Sequence, residues 1–135
     1  GFIETLEEAV EDWQTIHEQI VFNLKTEPMA LPREVEISLF RVVQECVNNA
    51  VKHSGAKNIT ITMELSKESG DLALSVADDG KGISSEKINQ TNRFGIRGMR
   101  DRIQSLGGKF IVESPNGTGT KISSIVPSAK IKDIE

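Results

Sequence analysis

The residues best suited to chemistry in this chain recur along one predicted helix. Each residue of an α-helix advances by about 100°, so polar residues spaced three or four apart share a face. The residues on this face are Arg41, Glu45, Asn49 and Lys52. Such a stripe is often only a solvated surface, but Asn48 and Asn49 are poor residues for a helix interior. A bound ligand would explain them, because a carboxylate, an amide and an ammonium can together orient a hydroxyl, ligate a hard cation and meet phosphate charge.

A second polar stretch, with the sequence DDGKG, follows a strand pattern. Asp78 is in phase with the apolar residues Leu74 and Val76, whereas Asp79 is out of phase. If the apolar face is buried, Asp78 points inward and needs a partner such as an amino-bearing ligand, while Asp79 points to water. The alternative is a plain turn, in which Asp and Gly are common.

Glycines accompany both the second stretch and a third one. Gly80 and Gly82 would let the chain bend and bring its backbone against a flat ligand. Gly95 and Gly98 lie at the start of another helical pattern, where exposed amides attract anions, although a glycine-rich connection is an equally ordinary interpretation. No Gly-Lys-Ser or Gly-Lys-Thr follows, so the third stretch is not a Walker loop.

The elements that must position these residues follow from hydrophobic periodicity. Helices are predicted over residues 2–16, 32–54 and 96–106, and strands over residues 20–24, 59–65, 72–76, 110–112 and 122–126. The stretch 84–93 has no hydrophobic rhythm and is predicted to be a loop, and the tail 128–135 is expected to be frayed. This order predicts an α+β domain over residues 1–127, a two-layer sandwich of about three helices on a mixed, mostly antiparallel sheet.

Composition limits the function classes. The 135 residues are 37% hydrophobic and 27% charged, with a formal net charge of −4, which is typical of one soluble domain and argues against nucleic-acid binding. The single cysteine, Cys46, lies in an apolar helical run, so a buried structural role in a reducing compartment is expected. No apolar stretch reaches the roughly 20 residues of a membrane span, so this fragment is expected not to contact a membrane, although a longer parent could be anchored upstream.

Taken together and in order, the three stretches resemble the N, G1 and G2 boxes of the GHKL superfamily, named for gyrase, the heat-shock chaperone, histidine kinases and MutL. The similarity runs from about residue 31 to 127. The segments FRVVQE (40–45) and NAVKH (49–53) are most similar to the N box of histidine kinases whose response regulators carry helix-turn-helix output domains. The resemblance implies a Bergerat-type ATP-binding fold.

The resemblance also implies a role for each polar residue of the long helix. Asn49 would hold Mg²⁺ against the triphosphate of ATP. Glu45 would be the catalytic general base or the acid that orients water. Lys52 and His53 would meet phosphate oxygens.

For the second and third stretches, the resemblance implies an adenine pocket and a lid. Asp78 would accept a hydrogen bond from the adenine amino group, in agreement with its strand phase. The residues expected to shape and close the pocket are Gly80, Gly82 and Thr120. The loop between Gly82 and Gly95 would be the ATP lid, anchored by Gly95 and Gly98 with their amides near the phosphates and with Met99 packed beneath.

The implied activity is transfer of the γ-phosphoryl group of ATP to a histidine on a separate, upstream dimerisation domain in two-component signalling. A cognate response regulator would be the further partner, and the parent would be a cytoplasmic or membrane-anchored homodimer. Neither His17 nor His53 matches the setting of the acceptor. Two alternatives remain: an anti-sigma-factor serine kinase, and a non-catalytic module that binds nucleotide and changes shape.

Overall fold

A five-stranded mixed sheet covered by helices on one face forms the core of the computed structural model, which describes residues 1–84, 93–114 and 118–132. The helices are α1 (Phe2–Ile16), α2 (Arg33–Asn49), α3 (Ile96–Ser105) and α4 (Ser128–Ile131). The strands are β1 (Val21–Lys25), β2 (Asn58–Leu65), β3 (Leu72–Lys81), β4 (Lys109–Glu113) and β5 (Thr118–Val126). The predicted two-layer α+β architecture is confirmed, with the short α4 as an addition.

The sheet has the strand order β1-β2-β3-β5-β4. Only the β1–β2 pair among these neighbours is parallel, and the other three pairs are antiparallel. Buried and partly exposed residues alternate along β2, β3 and β5, which is the pattern of a sheet packed on one side. The predicted mixed, mostly antiparallel sheet is therefore confirmed, and the helices pack against its buried face.

The long helical segment agrees with the predicted range 32–54, although α2 itself ends at Asn49 and one further turn completes the segment. Pro32 is its N-cap and Gly55 closes it in the left-handed conformation, with φ 65°. The last turn, Ala50–Ser54, is a π-helix rather than the regular α-helix predicted. Wider turns of this kind are frequent at functional sites. The Ser54 hydroxyl secures the end by donating to the Ala50 carbonyl at 2.7 Å.

The expectation of a frayed tail is wrong for residues 128–131. Helix α4 packs against the core, and Ile131 is buried. Two contacts hold the helix: the Ser128 N–H donates to the Asp71 carboxylate at 2.8 Å, and Lys130 pairs with Glu34 at 3.0 Å. Residues 133–135 lie outside the described part of the chain. Among the helices of the described residues, none has the length and apolar character that a bilayer span requires.

One buried hydroxyl in this core offers a test of stability. Ser124 on β5 is 1% exposed, and its Oγ finds no hydrogen-bond partner within the described ranges. An unpaired buried hydroxyl is unfavourable by about 1–3 kcal/mol. We expect Ser124→Ala to raise the free energy of unfolding by about 1 kcal/mol, measured by chemical denaturation. Ser123→Ala, on the opposite face of β5, is the control, and a less stable Ser124→Ala protein would contradict the expectation.

Candidate active site

A cavity of about 150 Å³ opens between the end of α2 and strands β3 and β5; we call it the Asp78 cavity. Its lining consists of Cys46, Asn49, Lys52, His53, Ser54, Val76, Asp78, Lys81, Gly82, Ile83, Phe94, Thr120 and Ile122. Six residues predicted from the sequence to bind nucleotide are among them: Asn49, Lys52, His53, Asp78, Gly82 and Thr120. The sheet and α2 therefore bring together residues that are up to 71 positions apart in the chain.

Asp78 is half-buried on β3, between Ile59 of β2 and Thr120 of β5 in the sheet register. The strand-phase prediction is confirmed, because Asp78 shares the inner face with Val76. Burial raises the pKa of Asp78, and a hydrogen bond that its carboxylate accepts from the Gly80 N–H, at 2.9 Å, partly opposes this shift. A ligand that donates a hydrogen bond to this half-buried carboxylate would stabilise its ionised form.

Thr120 completes the polar end of the cavity. Its Oγ1 is buried, and no described residue supplies a hydrogen bond to it. Its register partner across the strand pair is Asp78, and the apolar side chains of Val76 and Ile122 line the same cavity. A flat, amino-bearing ring fits this chemistry, because the carboxylate and the hydroxyl can bind its polar edge while the apolar side chains contact its faces.

Asp79 has the opposite orientation and a different role. It is exposed, as predicted, but its carboxylate already accepts hydrogen bonds from neighbouring residues. One oxygen accepts the backbone N–H groups of Lys57 and Asn58 at 2.8 and 2.9 Å, and the other accepts the Asn58 side-chain amide at 2.8 Å. Asp79 thus ties the end of β3 to the start of β2, which the sequence did not indicate.

These hydrogen bonds predict how stability depends on pH. The Asn58 side chain, together with the backbone N–H groups of Asn58 and Lys57, lowers the pKa of Asp79. The stabilisation is therefore complete above the unfolded pKa of about 3.9 and is lost as pH falls through the lower folded value. We expect Asp79→Asn to be less stable than the unchanged chain at pH 7, with the gap closing in acid, in denaturation measured across pH. Combining it with Asn58→Ala should give non-additive losses, whereas a gap that does not vary with pH would contradict the assignment.

Phe94 and Gly95 cross the polar face of α2. Phe94 adopts φ 63°, unusual for a residue with a side chain, and its carbonyl accepts a hydrogen bond from the Asn49 amide nitrogen at 2.6 Å. Its ring meets His53 edge-on, with centroids 5.1 Å apart. The bond to Phe94 uses the Asn49 nitrogen, so the amide oxygen is left to act as a hard ligand for a cation such as Mg²⁺.

Of the remaining predicted residues, all but Gly80 line a neighbouring cavity of about 460 Å³, the Glu45 cavity. Its lining consists of Trp13, Arg41, Gln44, Glu45, Asn48, Gly95, Gly98, Met99 and Arg102. A Cβ added to Gly95 would lie 2.5 Å from a Glu45 carboxylate oxygen, so backbone and carboxylate are in close contact. The predicted stripe is therefore divided, with Arg41 and Glu45 on one side of the crossing segment and Asn49 and Lys52 on the other.

Two residues of the site behave as core residues. Cys46 is buried, as expected, and burial raises the pKa of its thiol. The thiol donates to the Met99 sulfur at 3.6 Å, so Met99 joins α3 to α2 below the surface.

Gly80 does not line either cavity; it packs against the backbone of Ser54. The predicted lid falls largely on residues 85–92, outside the described residues.

Two residues contribute to the site in ways that the sequence did not indicate. Phe94 lies at the edge of the predicted lid, and no local pattern signals that it adopts the left-handed conformation. Ser54 was predicted only to end a helix, yet it lines the Asp78 cavity and contacts Gly80. Both roles depend on segments distant in sequence.

Comparison with known proteins identifies a family and several relatives of this chain. The family model described as histidine kinase-, DNA gyrase B- and HSP90-like ATPase matches residues 34–130. Among curated relatives, DegS, a signal transduction histidine-protein kinase/phosphatase of Bacillus subtilis, is 37% identical over 76% of this chain and 27% of its own length. The sensor histidine kinase YhcY of the same organism is 36% identical over 94% of this chain and 33% of its own length. The chain thus spans between a quarter and a third of these relatives.

Among solved structures, the blue-light activated histidine kinase EL346 of Erythrobacter litoralis superposes with a TM-score of 0.79 at 24% identity, over 96% of this chain and 42% of that one. Full-length ShkA in complex with AMPPNP gives a TM-score of 0.70 at 22% identity, over 93% of this chain and 30% of that one. At these identities the structures establish the fold. With the family model spanning most of the sequence, the chain belongs to the histidine kinase-, DNA gyrase B- and HSP90-like ATPases.

Proposed function

We propose that this chain is the ATP-binding catalytic domain of a sensor histidine kinase and binds ATP with Mg²⁺ in the Asp78 cavity. The observation that carries the proposal is the pairing of the half-buried carboxylate of Asp78 with the buried hydroxyl of Thr120, which has no hydrogen-bond partner among the described residues, beside the apolar side chains of the cavity. The adenine amino group would donate to Asp78. The ring would lie against Val76 and Ile122, in a pocket bounded by Gly82.

The phosphate end of the nucleotide would lie at the end of α2. Asn49 would hold Mg²⁺ through its amide oxygen, and the bound ion would neutralise charge on the triphosphate. Lys52 and His53 are exposed at the cavity and would contact phosphate oxygens. The backbone amides near Gly95 and Gly98, at the start of α3, would provide further donors.

The reaction would join the γ-phosphorus to a ring nitrogen of the acceptor histidine while the bond to the bridging oxygen of ADP breaks. Such a transfer depends chiefly on positioning and charge stabilisation. Glu45 would take the imidazole proton or orient the ring, and its place beside Gly95 puts it next to the start of α3 rather than near the adenine pocket.

The acceptor histidine would belong to a dimerisation domain upstream in a homodimeric parent, and a cognate response regulator would receive the phosphoryl group. The domain would work in the cytoplasm, with the parent free to be membrane-anchored. The names of the curated relatives favour this function over a serine kinase or a non-catalytic module.

The test follows from the two histidines of this chain. His53 contacts Phe94 at the Asp78 cavity, and His17 lies beyond the end of α1 against Phe22. With labelled ATP and Mg²⁺, we expect the chain alone to bind nucleotide but form no acid-labile phosphohistidine. Adding a histidine-bearing two-helix domain should produce label on that domain. Label on the isolated chain, or on an added serine-bearing protein only, would contradict the proposal.

A further inference from the structure

Strand β4 lies at one edge of the sheet, and the backbone groups on its outer side have no partner strand among the described residues. The opposite edge strand, β1, is partly covered, because its Phe22 N–H donates to the Oε1 atom of Gln14 at 3.0 Å. Within the described ranges, no side chain bonds to the backbone of β4 in this way. An uncovered edge is a template for pairing with another strand.

The residue order of β4, Lys-Phe-Ile-Val-Glu, is complementary to itself in antiparallel pairing. With Ile111 opposite Ile111 of a second copy, Lys109 lies opposite Glu113 and Phe110 lies opposite Val112. Opposite charges and aromatic–β-branched pairs are cross-strand neighbours that stabilise a sheet. A register shifted by two residues loses both Lys–Glu pairs, and in-register parallel pairing puts like charges side by side. The sequence of the edge therefore favours one direction and one register.

The side chains that would meet across this edge are accessible on the outer face of the sheet. Lys109, Ile111 and Glu113 are exposed, and Ile111 is one of the large apolar side chains that the core leaves uncovered, at 45% exposure. Neither charged side chain forms a salt bridge with a described residue, although Lys121 of β5 lies opposite Glu113 in the register. Charges on an edge strand usually discourage pairing, but opposite charges at its two ends attract an antiparallel copy of the same strand.

We propose that β4 pairs with β4 of a second copy of this chain across a two-fold axis, joining the two five-stranded sheets into one continuous sheet. The contact uses the same edge on both copies, so it closes after two and forms a dimer rather than a fibre. A standard interface uses about 20–30 residues a side, so an edge of five residues gives weak, concentration-dependent association. Residues of β4 line neither the Asp78 cavity nor the Glu45 cavity, so the dimer leaves both open.

Charge reversal tests the pairing, with the dimer Kd measured by sedimentation equilibrium up to the solubility limit of the chain. Lys109→Glu opposes two carboxylates at each end of the paired strands, and Glu113→Lys opposes two ammonium groups. Each variant is expected to raise the dimer Kd by about tenfold. An equimolar mixture of the two variants restores opposite charges at both ends, so it should associate more tightly than either variant alone. The double variant Lys109→Glu/Glu113→Lys should dimerise like the unchanged chain.

Lys67→Glu and Glu68→Lys are the matched controls, since both residues are exposed on the turn between β2 and β3 and change the net charge equally. Both controls should keep the dimer Kd of the unchanged chain, and thermal unfolding confirms that each variant is folded.

Three results would overturn the dimer. The first is an unchanged chain that stays monomeric at every concentration, which would leave the β4 edge to a strand of a different protein. The second is an equal loss of association in the two controls, and the third is a mixture of the single variants that associates no better than each alone. ATP titration of the same samples separates this proposal from the proposed function: a charge-dependent dimer that binds no ATP supports the β4 interface while the proposed function fails.

Discussion

Replacing Asp78 with Asn is expected to raise the Kd for ATP about ten- to a hundredfold, because a hydrogen bond to a charged group contributes roughly 1.5–3 kcal/mol. Asp78 is half-buried, faces the cavity and lies beside the hydroxyl of Thr120, to which no residue in the described part of the chain gives a hydrogen bond. The asparagine side chain is neutral, so it lacks the negative charge that attracts an amino donor. Its N–H₂ group cannot accept a hydrogen bond from the adenine ring. Titration with ATP, monitored by calorimetry, measures the loss.

Asp79→Asn is the matched control for this substitution. The two carboxylates are adjacent in sequence, but the Asp79 carboxylate accepts its hydrogen bonds from Lys57 and Asn58, away from the cavity. Its replacement should lower stability while leaving the Kd for ATP nearly unchanged in protein that remains folded. Equal losses of ATP affinity in the two variants would contradict the assignment of Asp78 to the adenine ring. Because burial raises the pKa of Asp78, ATP affinity should also decline in acid at a higher pH than for an ordinary carboxyl.

Gly80→Ala is expected to have the largest structural effect of any single methyl addition considered for this site. A Cβ at Gly80 would overlap the carbonyl oxygen of Ser54 and lie 2.6 Å from its Cβ. The obstacle is backbone, so a side-chain rotation cannot relieve it. Either β3 or the π-helical turn must shift, and both line the Asp78 cavity. We expect a loss of about 1–3 kcal/mol in unfolding free energy, together with loss of measurable ATP binding at concentrations that saturate the unchanged chain.

Gly98→Ala provides the comparison for that prediction. Gly98 lies inside α3, and a Cβ there would meet no described atom within 4 Å. Alanine is a better helix former than glycine by about 1 kcal/mol, so this variant should unfold at the same or a higher denaturant concentration. A Gly98→Ala protein that unfolds as readily as Gly80→Ala would show that close packing does not distinguish the two glycines.

Much of the architecture could be predicted from local patterns. The period of two along residues 72–78 assigned Asp78 to the buried face and Asp79 to solvent, because successive side chains of a strand alternate between its faces. Pro32 and Gly55 marked the limits of the long helix because each restricts or permits backbone conformations that end one. The tail was less predictable, since α4 is held by the contacts of Lys130 with Glu34 of α2 and of Ser128 with Asp71 before β3, which no local pattern reveals.

The division of the site was decided by the tertiary structure. Along the sequence, Glu45 and Asn49 are one helical turn apart and form a single polar stripe. In the fold, the Phe94–Gly95 backbone crosses α2 between them, bonded to Asn49 on one side and pressed against Glu45 on the other.

The local sequence thus determined which residues are polar, where α1 to α3 and β1 to β4 begin to within one residue, and which face of each is buried, because element boundaries and faces follow from periods of two and 3.6 residues. It did not predict α4 or the start of β5, which lies at Thr118 instead of the predicted residue 122. Only the tertiary structure determined that Glu45 belongs with Arg41 and Arg102, that Asn49 belongs with Asp78, and that Gly80 cannot carry a side chain. Those relations arise where segments distant in sequence approach within a few ångströms, and no repeat along the chain encodes such an approach.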